Sequence, residues 1–212
     1  MLFGIILAYV SVGSVLIPLV LASFNWQNRS FEIRGLSILL LTSLICDASS
    51  MLLSRYHINT MPIVNFYLFA QFVILYLLFM RKLEIKNFLR VLLVLFCILC
   101  LIDISVFQGP YVLDTFSHIV GNLILMALSL YYFYTLLKEL PTTYIHRLPF
   151  VWISFAALAY YSGNFFLFLL NNYLLKEAGS IAWMLHNGLN ITKNVFFAIA
   201  LWQAYHNRKL ST

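Results

Sequence analysis

The chain has 212 residues, of which 63% are hydrophobic and only 9% charged, and its mean hydropathy is +0.92. A soluble domain is nearer one half apolar and one quarter charged, so this composition excludes an ordinary water-soluble fold and points to an integral membrane protein. The net charge of +6 does not point to nucleic acid, because the basic residues are spread beside the ends of apolar runs and are not gathered into one patch.

Spanning the hydrocarbon takes about 20 mostly apolar residues per helix. Seven such runs follow in chain order: Leu2 to Ser23, Gly35 to Ser54, Met61 to Met80, Phe88 to Phe107, Val112 to Leu137, Pro149 to Leu170 and Ser180 to Gln203. Stretches such as "VLLVLFCILCLI" do not alternate apolar with polar, which argues against a β-barrel. In lipid each helix satisfies its own backbone. The expectation is an all-α fold: a polytopic bundle of seven transmembrane helices forming one domain over residues 1–212.

The first run has no Lys or Arg before it, unlike the basic start of a cleaved signal peptide, and is read as a retained helix. With the N-terminus outside, the inner segments hold Arg29, Arg34, Arg81, Lys82, Lys86, Arg90, Lys138, Arg147, Arg208 and Lys209. Only Arg55 and Lys176 fall outside, and Lys193 falls within a span. That is the positive-inside pattern, so the expectation is N-terminus out, C-terminus cytoplasmic, in the cell membrane. Trp26, Tyr56, Tyr111, Tyr131 to Tyr134, Trp152, Trp202 and Tyr205 flank the runs as interfacial anchors do.

Cys46, Cys97 and Cys100 all lie in spans, where a thiolate is disfavoured, and read as small packing residues. The connections are short, among them "FNWQNRSFEIR", "FQGPY" and "KELPTTYIHRL". "SLICDASSMLL" and "AYYSGNFFLFLL" show no repeat between the two ends of the chain, and Pro18 is the one proline inside a span, so neither duplicated halves nor broken helices are expected.

The informative residues are the polar ones inside the spans. In the last run, "HNGLNITKN" places His186, Asn190 and Lys193 at i, i+4 and i+7, with Asn187 and Asn194 on the same broad face. The second run carries Ser43, Asp47, Ser50 and Ser54 on one stripe, the third Gln71, the fifth His118, Asn122 and Ser129, and the sixth Ser154, Tyr161, Ser162 and Asn164. Counting from the run ends puts Lys193, Asp47, Gln71 and Asn122 near the middle of the membrane and His118, Asn164 and His186 in its outer half. A charge at the bilayer centre costs at least about 2.5 kcal/mol, so Lys193 and Asp47 should face inward and pair, with Asp103 as the second choice of partner.

Several readings of this layer follow. The first is a small-molecule sensing or receptor-like module, with a site formed by Lys193, Asn190, His186, Asp47, Asn122, His118, Asn164 and Gln71. Having no soluble output domain, it would signal through a partner protein, for which the loop "RKLEIKNFLR" is an available contact. The alternative is a small transporter or channel in which Asp47 and Lys193 exchange partners as a proton or anion passes. An intramembrane zinc hydrolase of the ceramidase or adiponectin-receptor type would draw on His118 and His186, which are too few ligands alone. Finally, "LNITKNVFFAIAL" loosely resembles the last helix of microbial rhodopsins, which implies retinal bound to Lys193 as a Schiff base. The family's aspartate four residues before that lysine is absent here, where Asn190 stands three before it, and its third-helix arginine and acid are replaced by Gln71 alone. Residue chemistry by itself assigns no cofactor.

Overall fold

The structure is a computed structural model and describes residues 2–24, 30–103, 105, 115–139, 144–169 and 171–211; side chains at 2, 3, 5, 115, 168, 171–180 and 208–211 are outside that description. Trp26, Arg29, Tyr111 and the "FQGPY" connection therefore lie outside the described residues, as do the side chains of Asn171, Lys176, Arg208 and Lys209.

Among the described residues, eight helices and one short 3-10 turn follow one another, with no strand: α1 (Leu2–Ser14), α2 (Leu16–Phe24), α3 (Phe31–Arg55), α4 (Met61–Lys82), α5 (Lys86–Ile102), α6 (Thr115–Glu139), the turn Ile145–Arg147, α7 (Pro149–Leu169) and α8 (Asn171–Ser211). Among the described residues, five stretches are long and apolar enough to cross a membrane: Ile6–Phe24, Phe31–Arg55, Met61–Lys82, Phe116–Glu139 and Pro149–Leu167. Two of the seven runs fall short of that standard. The described helix α5 has 17 residues, and α8 has 41 but is interrupted by its polar "HNGLNITKN" segment.

The first run is not one helix. Residue 15 is a turn between α1 and α2, which corrects the expectation of unbroken helices. Pro18 is the physical reason: it has no N–H to give the carbonyl of Ser14, four residues earlier, and its ring crowds that turn. Helical bonding resumes with the Leu19 amide donating to the Val15 carbonyl at 3.2 Å. The last helix also departs from expectation, starting at Asn171 and not near Ser180. At about 1.5 Å per residue, its 41 residues measure roughly twice the thickness of the hydrocarbon layer.

Local chemistry sets the other helix ends. Ser30 caps α3, its Oγ accepting from the Ile33 amide, and Glu32 lies in the first turn where the helix dipole favours an acid. The Asn59 side chain accepts from the Met61 amide at the start of α4, whose first turn holds Pro62, and Arg81 and Lys82 occupy that helix's last turn. The end of α3 is a Schellman turn, with the Ile58 amide bonded to the Leu53 carbonyl and the His57 amide to that of Ser54. It requires a left-handed residue, and His57 takes that place at φ 57°.

The helices close into a ring. The first span packs on α3, α3 on α4, α4 on α6, α6 on α7 and α7 on α8, which returns to α1 and α2; α5 packs against α4 and α6. The Tyr76 hydroxyl ties α4 to α5 by donating to the Leu89 carbonyl at 2.7 Å. Phe72 on α4 stacks within 4.0 Å of Phe96 on α5, over Gly121 of α6, where an added Cβ would meet both rings. Near the opposite end of α4, Lys82 pairs with Glu32 at 2.6 Å and Phe150 stands edge-on to Phe79 and Tyr132.

Polarity runs opposite to that of a soluble protein. Ile45, Phe66, Phe88, Leu101, Leu137 and Trp202 are exposed, whereas Ser43, Gln71, Ser117, Asn122, Ser129, Ser154, Asn164, Lys193 and Asn194 are buried. In water such a surface would be a very large apolar patch. Facing lipid, it is the surface that this environment favours, and the hydroxyls of Ser129, Ser154 and Thr192 are satisfied by carbonyls four residues back in their own helices.

Candidate functional site

The site is best built from α4, which presents Tyr67 and Gln71 one turn apart on one face. Lys193 of α8 is 2% exposed, and its ammonium donates to the Tyr67 hydroxyl at 3.3 Å. Tyr67 in turn donates to the Ser43 hydroxyl at 3.1 Å, and Ser43 donates to the Asp47 carboxylate at 3.4 Å. Every proton in this chain points the same way, from ammonium toward carboxylate, so each bond polarises the next.

Lys193 and Asp47 therefore do not pair directly, since no contact within 4 Å joins them. The expected ion pair is replaced by a two-hydroxyl bridge. The physical reason lies on α4: the Tyr67 phenol stands between α8 and the Ser43 stripe of α3. Asp103, the other candidate partner, is committed elsewhere. Its buried carboxylate accepts the Ser117 amide at 3.0 Å and the Ser117 hydroxyl at 2.7 Å, capping the start of α6 from the end of α5.

The ammonium also sits 4.2 Å from the centre of the Tyr160 ring on α7, a cation–π contact. The ring of Tyr160 stands 6.1 Å from that of His186, whose Nδ1 meets the Asn164 side-chain oxygen at 2.7 Å. Asn164 donates back to the Tyr160 carbonyl at 2.8 Å. This contact is possible because α7 and α8 come very close at Gly163, where a Cβ would lie 2.5 Å from both δ-carbons of Leu189. Next to Tyr160, Tyr161 accepts from Gln71 Nε2 at 2.8 Å. Lys193, His186, Asn164 and Gln71 are thus gathered around two adjacent tyrosines, and Asp47 joins them through two hydroxyls.

Asn190 goes elsewhere. It donates to the Ser11 hydroxyl at 3.0 Å, and Asn194 donates to that of Ser14 at 2.7 Å, so the asparagines of α8 hold the broken first span. Beside that seam an apolar groove of about 710 Å³ runs along α8 from Ile191 to Trp202. On α6, Asn122 and His118 stand one turn apart on the face that also carries Leu125 and Ser129, and are not bonded to Lys193. Asn122 Nδ2 and Gln71 Oε1 are buried with no hydrogen-bond partner among the described residues. No group of three or more His, Cys, Asp or Glu that could hold a metal ion occurs among the described residues.

Sequence reasoning missed Tyr67, Tyr160, Ser11 and Ser14. The first two carried a usable signal, since Tyr67 precedes Gln71 and Tyr160 precedes Asn164 by four residues, placing each tyrosine on the same face as a buried amide. Comparison with known proteins finds no matching family model, no matching curated protein and no matching solved structure.

Proposed function

We propose that the chain is a seven-span protein of the cell membrane, N-terminus outside and C-terminus cytoplasmic, whose polar layer around Lys193 binds a small molecule. On this reading α5 and α8 are the two further spans, and the basic residues mark the cytoplasmic side. Occupancy changes how α4, α7 and α8 pack, and the change is passed to a partner protein: a receptor-like sensing module. One observation carries the reading. A fully buried ammonium has a single hydrogen bond and a ring face as its neighbours and no carboxylate in contact. Helix glue does not need a full charge, and hydroxyls or amides do that work without the desolvation cost.

The test is a native mass spectrum of the protein purified in mild detergent, wild type beside Lys193→Gln. A co-purified small molecule present in the first and lost in the second supports the reading. A chain carrying lipid alone in both, with no added small molecule retained, counts against it.

Transport is the second reading, favoured by the break at residue 15. Discontinuous helices are how many transporters free backbone groups at the membrane midplane, and here the break lies beside Ser14, Asn190 and Asn194. Solute flux into proteoliposomes that Lys193→Gln abolishes separates transport from sensing.

A further inference from the structure

The polar layer has hydrogen-bonding capacity that the protein leaves unused, and its sign and spacing describe what would fill it. The Lys193 ammonium has three protons, of which Tyr67 takes one while the face of Tyr160 supplies a diffuse attraction. Gln71 uses one end of its amide on Tyr161, and its other end is buried without a partner in a side chain 1% exposed. Both groups are held where α4 meets α7, Lys193 by Tyr67 and Tyr160 and Gln71 by Tyr161. Tyr67 and Gln71 are one turn apart on α4, about 5–6 Å between their Cβ atoms. The rings of Tyr160 and Tyr161, which touch the ammonium and the amide respectively, have centres 5.2 Å apart. Asn122 adds a second buried donor, its Nδ2, on α6, the helix that packs against both α4 and α7.

Unused donors therefore predominate, and one of them carries a positive charge. A cation would meet Lys193 with repulsion, and a neutral apolar molecule would leave every one of these groups unpaired. An anion answers the donors. The remaining amide end of Gln71 calls for a hydrogen-bonding group a few ångströms from the anionic one, and a hydroxyl serves it whichever way the amide is turned, since it both donates and accepts.

We propose that the ligand of this layer is a short hydroxycarboxylate, its carboxylate at the Lys193 ammonium and its hydroxyl at the Gln71 amide. The inference rests on the reading of Lys193 as a binding site, and its test separates the two. Thermal unfolding of the full chain in mild detergent, followed by the fluorescence of its four tryptophans, of which Trp183 stands 5.9 Å from His186, is measured against glycolate, acetate and choline at matched ionic strength. Glycolate should half-saturate at about five- to tenfold lower concentration than acetate, the factor one hydrogen bond supplies, and choline should give no shift. Gln71→Leu should remove the preference, so that glycolate and acetate half-saturate the variant at the same concentration. Equal stabilisation of the wild type by glycolate and acetate overturns the hydroxyl inference and leaves the Lys193 anion site standing. No stabilisation by either anion, or stabilisation by choline alone, overturns both. The comparison of the three probes on the wild type needs no variant to fold.

Discussion

Tyr67→Phe is the sharpest perturbation available, because it removes one oxygen and leaves the ring. That oxygen takes the Lys193 bond at 3.3 Å and makes the Ser43 bond at 3.1 Å. A hydrogen bond to a charged group is worth about 1.5–3 kcal/mol, and the length of this one places it at the lower end. A neutral bond across membrane helices averages around 0.6 kcal/mol, so the substitution should cost about 2 kcal/mol. In a Lys193→Met background only the neutral bond is left to lose, and the same substitution should cost about 0.6 kcal/mol. The difference, about 1.5 kcal/mol, is the coupling carried by the hydroxyl, and reversible unfolding in mixed detergent micelles measures it as a double-mutant cycle. If Lys193→Met proves too unstable, Ser43→Ala is the second background, in which Tyr67→Phe keeps the larger share of its cost. Equal costs in the wild-type and Lys193→Met backgrounds, within about 0.5 kcal/mol, would refute the bridge.

Three further outcomes are expected. His57→Gly should stabilise the protein by about 0.5–1 kcal/mol, because the Schellman position at φ 57° suits glycine; thermal unfolding in detergent checks it, and a loss of stability would mean that the His57 side chain holds something of its own. Gly163→Ala should cost about 1–3 kcal/mol, since the new Cβ would lie 2.5 Å from both Leu189 δ-carbons, and Leu189→Ala in the same chain should recover part of that; an additive double variant would show that α7 and α8 do not meet there. Asp103→Ala should destabilise by about 1–3 kcal/mol and Ser117→Ala by less, because the carboxylate serves both the amide and the hydroxyl of Ser117; unfolding measurements that rank the two in reverse would place the cap elsewhere.

The helical, membrane-facing character of the chain was legible at once. So was the set of buried polar residues, because a polar group in an apolar run of 20 residues has few places to go. Individual partners were not legible. His186, Asn190, Lys193 and Asn194 cover only about 100° of the circumference of α8, and sequence periodicity reads them as one stripe. In the ring, Lys193 and His186 turn toward α4 and α7, while Asn190 and Asn194 turn toward α1. Tyr67 and Tyr160 escaped notice because a tyrosine in an apolar run reads equally as an interfacial anchor or a packing residue, and only its neighbours decide which.

By itself the sequence determined what depends on local composition, the apolar runs that must be helical in lipid; the turn at residue 15, the Ser30 cap and the Asn59 contact emerged only in the structure, although Pro18 and its missing N–H carried a local signal for the first. Tertiary structure decided what depends on which helix lies beside which. Ring closure put a phenol between Lys193 and Asp47 where an ion pair was expected, and drew Asp103 away to cap α6. It also set the Lys193 ammonium and the Gln71 amide against two adjacent tyrosines of α7. Periodicity fixes the angle of a side chain on its own helix, but a hydrogen bond needs the angle, depth and distance of a second helix, and those are set only when the whole ring packs.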